Sequence, residues 1–173
     1  MTPLPLLGFA GFSGVGKTTL LSAVLPLLTK QGVRVGMIKH AHHDFDIDQP
    51  GKDSYLLRKA GANQMLIASS KRWALMVENN GVASDPKLDA LLEHLDQSRL
   101  DLILVEGFKH EAIPKIEVHR AALGHPLLCS TDRRIIAIAC DDATQISPSI
   151  TRLNINSPEQ VAAFIVEHVR RNS

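Results

Sequence analysis

Residues 4–19, LPLLGFAGFSGVGKTT, join an apolar run to a glycine-rich segment and then to the start of an amphipathic pattern. The apolar run Leu4 to Phe9 predicts a buried strand, and Gly11 to Gly16 predict a loop. Lys17 to Gln31 predict a helix, because leucine and valine recur there at helical spacing. A second strand is predicted from Val33 to Lys39. This βαβ unit implies a parallel sheet with a right-handed crossover.

Residues 11–18, GFSGVGKT, match the P-loop pattern G-x-x-x-x-G-K-[ST] at every position. Glycine permits backbone angles that other residues resist, so the loop can approach phosphate closely. Its N–H groups and the following helix N-terminus form a positive concavity for phosphate oxygens. Lys17 can reach the β- and γ-phosphates, and the Thr18 hydroxyl can bind Mg²⁺. The strand before and the helix after favour a nucleotide site over a chance glycine-rich turn.

A carboxylate at the end of a neighbouring strand is the second part that such a site needs, because it helps to hold Mg²⁺. The apolar strand Leu102 to Val105 ends at Glu106 and Gly107. Aspartate is usual at this position, so Glu106 is a departure whose longer side chain favours contact through water. A solvated carboxylate at the strand end is the alternative.

The segment after the second predicted strand is rich in histidine and aspartate. Because the carboxyl ends of parallel strands meet at the ligand crevice, this loop is expected to face the nucleotide. We interpret it as a polar, switch-like loop that senses metal or phosphate, with Asp46 as a further candidate for binding Mg²⁺. A dedicated transition-metal site and a plain solvated loop are the alternatives. The residues concerned are His40, His42, His43, Asp44, Asp46 and Asp48.

The rest of the chain predicts an α/β fold, a P-loop NTPase with a mostly parallel sheet flanked by helices and an inserted β-hairpin. One domain is expected over residues 1–173, with the hairpin insertion at about 63–80. Two β-prone runs separated by a short polar segment form the hairpin. The further predicted elements are helices at 54–60, from Pro86 to Leu95 and after the Ser157-Pro158 cap, and strands at 102–105, 115–119 and 134–139.

Composition limits the class of protein. The chain has 173 residues, of which 45% are hydrophobic and 21% charged, so global disorder is excluded and one folded domain is expected. The formal net charge is +1, which disfavours nucleic-acid binding. Cys129 and Cys140 lack a metal or disulfide spacing, and no signal peptide or membrane-length apolar run is evident. We therefore expect a cytoplasmic protein.

The sequence leaves alternatives open for the residues that contact the base and for the apolar residues of the hairpin. The N-K-x-D signature for guanine is absent; Asp141 and Asp142 follow a strand and either accept hydrogen bonds from a base or belong to an ordinary loop. The hairpin would expose apolar side chains on an edge, which a second copy of the chain would cover. For two of these side chains, Trp73 and Met76, ordinary packing is favoured over binding of a ligand, and a dimer interface is the main functional alternative. The apolar residues of the hairpin are Leu66, Ile67, Trp73, Leu75 and Met76.

Besides the P-loop, the sequence contains IKHAHHDFD at 38–46, GKDS at 51–54, AGA at 60–62 and VEGFK at 105–109. Together these motifs resemble the MobB family, whose members are adapter proteins of molybdopterin-guanine dinucleotide biosynthesis. The P-loop alone is shared by many NTPases, whereas the His-Asp loop and the VEGFK strand end are more selective. The resemblance extends over nearly the whole chain.

The resemblance implies a homodimer that binds GTP and Mg²⁺ and has weak intrinsic GTPase activity. It implies a guanylyltransferase partner that joins GMP to molybdopterin, and a part in delivering the cofactor to molybdoenzymes, with molybdopterin itself as a possible ligand. Glu106 carries over as the acidic partner; Lys17 and Glu106 are then the catalytic candidates, and Thr18 and Glu106 the magnesium ligands. The nucleotide-binding positions that carry over are Gly11, Phe12, Ser13, Gly14, Val15, Gly16, Lys17, Thr18 and Thr19.

Two other function classes share the P-loop. A small-molecule kinase would need an acceptor pocket and an arginine-bearing lid, for which Arg133 and Arg134 are the only compact candidates. A metal-insertion GTPase is suggested by the histidine-rich loop. No Gln or Arg is marked by its position as a water-positioning residue or an arginine finger, so binding is expected to exceed hydrolysis in importance.

Overall fold

The computed structural model describes residues 4–41, 45–79 and 85–172. The chain forms two compact units, Met1–His40 with Leu88–Ser173, and Ala41–Lys87. The elements in chain order are β1 (Leu6–Ala10), α1 (Lys17–Lys30), β2 (Val35–Lys39), α2 (Asp53–Lys59), β3 (Gln64–Ala68), β4 (Trp73–Val77), α3 (Leu88–Leu92), β5 (Leu102–Glu106), β6 (Lys115–His119), β7 (Ile135–Cys140), β8 (Thr151–Asn154) and α4 (Pro158–Asn172). Short 3-10 helices lie at Gln97–Arg99, Ala121–Leu123 and Leu128–Ser130.

The larger unit is built on a six-stranded sheet in the order β2-β5-β1-β6-β7-β8, with every neighbouring pair parallel. The prediction of a mostly parallel sheet flanked by helices, with an antiparallel hairpin, is confirmed. Strand β1, which leads into the glycine-rich loop, lies between β5 and β6. The carboxyl ends of these strands therefore meet at one edge of the sheet, where the predicted site residues are concentrated.

The two faces of the sheet have separate apolar cores. Helices α1 and α4 pack on one face, where Leu21, Leu104 and Ile165 belong to the same buried cluster. On the other face, Ile103 and Val105 pack with Leu88 of α3, and β7 packs with the 3-10 segment around residue 128. Successive residues of a strand point to opposite faces of the sheet. Because both faces are covered here, a central strand such as β5 has apolar residues at nearly every position.

Strand β6 is fully buried although it alternates charged and apolar residues, KIEVH. Ile116 and Val118 join the core under α1 and α4. On the opposite face, the Lys115 amine lies 2.7 Å from Asp132, and the Glu117 carboxylate accepts hydrogen bonds from the N–H groups of Leu128 and Cys129, at 2.7 and 2.9 Å. Each buried charge is thus bonded to one loop, residues 128–132.

Several boundaries differ from the prediction. Strand β8 was not predicted, because three of its four residues, TRLN, are polar and only Leu153 is buried. Helix α3 begins at Leu88 and ends after five residues. At the start of α4, the Gln160 side chain bonds the N–H of Asn154 at 2.7 Å, so it ties the helix to β8 beyond the predicted cap. Within the described part of the chain, no helix has the length and apolar character to cross a membrane.

The smaller unit contains α2 and the predicted hairpin. Strands β3 and β4 pair antiparallel, with Leu66 opposite Leu75 and Ala68 opposite Trp73. One face of the hairpin carries Leu66, Trp73, Leu75 and Val77, all of them exposed; Trp73 is 65% exposed. Met76 points to the other face and is buried, which supports the packing alternative for this residue.

Arg58 organises the polar side of the smaller unit. Its guanidinium lies 2.5 Å from Asp46, 2.6 Å from Asp48 and 2.5 Å from Glu78. The Arg58 and Asp48 side chains are only 7% and 3% exposed. These hydrogen bonds, that with Asp48 first, raise the pKa of Arg58. One cation therefore joins the segment before α2, the helix itself and the end of the hairpin.

Asp101 lies at the opposite end of β5 from Glu106 and pairs with Arg34 at 2.6 Å. Hydrogen bonds from the Arg34 side chain and backbone lower the pKa of Asp101 to about 2. A carboxyl group with a depressed pKa stabilises the fold above its unfolded pKa of about 3.9, and this contribution is lost as pH falls toward the folded value. We expect a carboxyl NMR titration of Asp101 to have its midpoint near 2 in the native protein. In Arg34→Met the midpoint should return toward about 4; an unchanged midpoint would show that Arg34 is not the cause.

Candidate functional site

The glycine-rich loop adopts the conformation that its sequence predicts. Gly11, Gly14 and Gly16 have φ values of 149°, 80° and 98°. A Cβ on Gly11 would lie 2.5 Å from the carbonyl oxygen of Val118 in β6, so a side chain is excluded there. Among the described residues, no backbone carbonyl accepts a hydrogen bond from the N–H groups of Gly14, Val15 or Gly16. These donors remain for an anion at the start of α1.

Lys17 turns its amine into this loop. The Nζ atom donates hydrogen bonds to the carbonyl oxygens of Gly11 and Phe12, both at 3.0 Å. Burial lowers the pKa of the Lys17 amine. The negative charge of Glu106 acts against this shift, and the positive charge of Lys39 adds to it. The amine therefore occupies the concavity that an anionic ligand would share with it.

Glu106 ends β5, beside the loop strand. It lies in register with Phe9 of β1 and with Lys39 of β2, and it is 7% exposed. The Lys39 amine is 3.3 Å from Oε2, but this oxygen accepts no hydrogen bond from any described residue. A buried carboxylate oxygen with unused acceptor capacity suits a cation or a water bound to one. Sequence reasoning missed Lys39 as a site residue, although its place at the end of β2 was a signal.

Gly107 allows β2 and β5 to approach each other at the site edge. Its φ is 94°, and a Cβ there would lie 2.9 Å from the Cβ of His40. The N–H of His40 donates to the carbonyl oxygen of Glu106 at 2.9 Å, and the His40 ring lies 5.1 Å from the Phe108 ring. The Glu-Gly-Phe sequence thus fixes the backbone on which the Glu106 carboxylate is held.

Other predicted residues have different surroundings. Asp46 lies in the smaller unit and pairs with Arg58, and its role as a magnesium ligand stays a prediction. His42, His43 and Asp44 lie outside the described residues. Within the described ranges, no group of three or more His, Cys, Asp or Glu side chains is placed to share a metal ion.

Asp141 is committed to local structure. Its carboxylate accepts hydrogen bonds from the Ala121 N–H at 3.1 Å and from the Thr144 hydroxyl at 2.8 Å. These bonds, that from Thr144 first, lower the pKa of Asp141. The ordinary-loop alternative is therefore favoured for Asp141 over direct contact with a base.

The segment after β6 borders the glycine-rich loop and was missed by sequence reasoning. The His125 ring stacks on the Phe12 ring with centroids 4.4 Å apart. A Cβ on Gly16 would lie 3.9 Å from Nε of Arg120. These contacts join residues more than 100 positions apart, so no local pattern could indicate them.

Comparison with known proteins assigns the family. The family model for MobB, described as molybdopterin guanine dinucleotide synthesis protein B, matches residues 6–141. The molybdopterin-guanine dinucleotide biosynthesis adapter protein of Escherichia coli (strain K12) is 49% identical over 173 residues, covering 99% of this chain and 97% of that protein. The protein of the same description from Haemophilus influenzae is 43% identical over 162 residues, covering 94% of this chain and 88% of that protein.

Solved structures agree. The crystal structure of a molybdopterin-guanine biosynthesis protein B has a TM-score of 0.71 at 26% identity, and covers 95% of this chain and 99% of that chain. Bacillus subtilis MobB has a TM-score of 0.74 at 22% identity, with 95% and 98% covered, which shows the shared fold. From the extent of the match and the identity to these relatives, the chain belongs to the MobB family.

Proposed function

We propose that this chain binds GTP with Mg²⁺ at residues 11–19 and hydrolyses it slowly, as an adapter in molybdopterin guanine dinucleotide synthesis. The observation that carries the proposal is the loop itself. Its N–H groups at Gly14 to Gly16 have no backbone acceptors among the described residues, and the Lys17 amine lies within it. Such an arrangement attracts the phosphates of a nucleotide. The choice of GTP follows from the family resemblance.

Thr18 and Glu106 are the residues that would hold Mg²⁺. Thr18 is exposed in the first turn of α1, and Glu106 offers the buried oxygen that accepts no hydrogen bond among the described residues. Hydroxyl and carboxylate oxygens are the ligands that this hard cation prefers. When bound, Mg²⁺ would neutralise charge on the β- and γ-phosphates. Lys17 would hold the same phosphates from within the loop.

Slow hydrolysis fits the positions of the two arginines that were the candidates for a catalytic lid. Arg133 and Arg134, the compact lid candidates of the kinase alternative, directly precede β7 and therefore lie at the amino ends of the strands, away from the loop. An arginine that stabilises the transferring phosphoryl group is worth about 10³–10⁵ in rate. With Arg133 and Arg134 placed away from the loop, the bound state is the useful product of the site, which suits an adapter.

Titration with GTP and ATP in the presence of Mg²⁺, with phosphate release followed in the same samples, tests the proposal. We expect tighter binding of GTP and turnover well below about one per second, as for unassisted P-loop GTPases. ATP preference, or fast turnover on adding a small hydroxyl acceptor, would favour the kinase alternative. Tight binding of Ni²⁺ or Zn²⁺ by calorimetry would favour the metal-insertion alternative.

The adapter role needs a partner, for which we propose the guanylyltransferase that joins GMP to molybdopterin. Delivery of the finished cofactor to molybdoenzymes, and direct binding of molybdopterin, belong to the same proposal. Cys129 and Cys140 are free thiols, which fits the reducing cytoplasm that we propose as its location. Retention of the purified guanylyltransferase on the immobilised, GTP-loaded chain would support the role; equal retention by a column without the chain would oppose it.

The hairpin face with Leu66, Trp73, Leu75 and Val77 is the proposed contact of a homodimer. Exposed apolar side chains on a two-stranded sheet are a liability unless another surface covers them. We expect light scattering to give twice the chain mass of 18.9 kDa for the native protein and the single mass for Trp73→Asp. Leu123→Asp changes another exposed apolar side chain, one that lies in the larger unit, and should leave the dimer intact. A native monomer at working concentration would contradict the prediction.

A further inference from the structure

A cavity of about 150 Å³ opens beside the glycine-rich loop, within the larger unit. Leu20 and Ala23 of α1, together with Ile155 and Pro158, supply its apolar lining. Arg120 and Asn156 add polar groups, and Gly16 and Thr19 connect the cavity to the phosphate side. The size and mixed lining of the cavity suit a flat heterocycle attached to a ligand held in the loop.

Arg120 is the charged group of this cavity, and the backbone next to it is held by a hydrogen bond. The next residue, Ala121, donates its N–H to Asp141, which holds the backbone after β6 in place. Arg120 is half-buried, and across residues 4–41, 45–79 and 85–172 its guanidinium has no ion pair or hydrogen bond. Asp141 interacts with Arg120 through its charge, but its carboxylate is already bonded to Ala121 and Thr144. The guanidinium donors are therefore available to a ligand.

The other polar groups of the cavity discriminate poorly between purines. The N–H groups of Ile155, Asn156 and Ser157 are already bonded, to Cys140, to the Asn154 side chain and to the Asn154 carbonyl, at 3.1, 2.9 and 3.0 Å. The Asn156 side chain has both a donor and an acceptor, and it can rotate to match either base. Arg120 has donors only.

We propose that Arg120 selects guanine over adenine by donating to N7 and O6 of the base. Guanine offers two acceptors side by side at this edge, whereas adenine offers one acceptor next to an amino donor. A guanidinium therefore matches guanine with two hydrogen bonds and meets a donor in adenine. This inference rests on the proposed binding of GTP at residues 11–19 and adds the residue that gives the base preference.

The test compares GTP, 7-deaza-GTP and ATP in Mg²⁺ titrations of the native protein, Arg120→Ala and Arg120→Lys. 7-Deaza-GTP lacks the N7 acceptor and keeps the phosphates and the Watson–Crick edge. We expect native protein to bind GTP about tenfold more tightly than 7-deaza-GTP, the value of one charge-assisted hydrogen bond. Arg120→Ala should bind the two guanine nucleotides equally and lose GTP affinity by about tenfold or more, with ATP affinity nearly unchanged. Arg120→Lys, which keeps donors for N7 and O6, should retain a preference for GTP over 7-deaza-GTP. Arg133→Ala, which removes an exposed charge at the other end of the sheet, is the control.

The opposing outcomes are distinct. If Arg120→Ala weakens all three nucleotides equally and Arg120→Lys restores them, Arg120 binds phosphate and the inference is wrong. Equal affinity of native protein for GTP and 7-deaza-GTP overturns it without any variant, even if Arg120→Ala does not fold. If the native protein binds no nucleotide, the proposed function fails; if it binds GTP and ATP alike, the nucleotide site stands and the selection by Arg120 fails.

Discussion

Replacing Lys17 with alanine should abolish GTP binding at micromolar concentrations while leaving the fold intact. The Lys17 amine bonds the carbonyl oxygens of Gly11 and Phe12, inside the loop that would receive the phosphates. Removing one partner of a desolvated charge pair lowers binding by about 2–5 kcal/mol, or roughly 30- to several thousand-fold in affinity. No apolar core residue changes, so the sheet and α1 should persist.

The measurement for Lys17→Ala is a GTP titration with Mg²⁺, together with thermal unfolding in the absence of nucleotide. Lys30→Ala is the matched control, because Lys30 lies exposed in the last turn of the same helix. It removes the same charge far from the loop and should bind GTP normally. Binding by Lys17→Ala as tight as that of the native protein would refute the site assignment.

The second large effect is expected in the smaller unit, from Arg58→Met. This change leaves Asp48, at 3% exposure, without its counter-charge and beside Asp46 and Glu78. An unpaired buried carboxylate is strongly destabilising, whereas a neutral one is tolerated. We expect amide protection in the hairpin to fall by about tenfold or more, because local stability there depends on this pair.

Hydrogen exchange followed by mass spectrometry measures this effect separately in the two units. Arg72→Met is the control, since Arg72 lies exposed in the hairpin turn. The double variant Arg58→Met, Asp48→Asn should recover part of the lost protection, because the isolated charge is then absent. Unchanged protection in Arg58→Met would show that the three ion pairs are not what orders the hairpin.

The phosphate side of the candidate site could be predicted from the sequence because it is local. Strand, loop and helix lie within residues 6–30, and the glycine spacing dictates the backbone. Glu106 was predicted because it ends an apolar strand. In a parallel sheet the carboxyl ends of neighbouring strands lie at the same edge, so this carboxylate lies close to the loop. The hairpin followed from its alternation and turn.

The base side could not be predicted, because distant segments build it. Arg120 borders Gly16 only once β6 has paired with β1, and Asn156 arrives through β8, a strand with one buried residue. The commitment of Asp141 to Ala121 and Thr144 is equally a product of tertiary packing. Arg58 shows the same limit, since its partners lie 10, 12 and 20 positions away.

The charged face of β6 has a consequence for how the sheet assembles. A slip of one residue would turn Lys115 and Glu117 toward the apolar core under α1 and α4, and would leave Asp132 and two N–H groups without partners. Apolar strands tolerate misalignment better than this strand does, so its charged residues restrict β6 to one register. Residues 128–132 provide the partners of these charges, and the strand can be buried only together with this loop. This half of the sheet and its loop therefore form one cooperative unit.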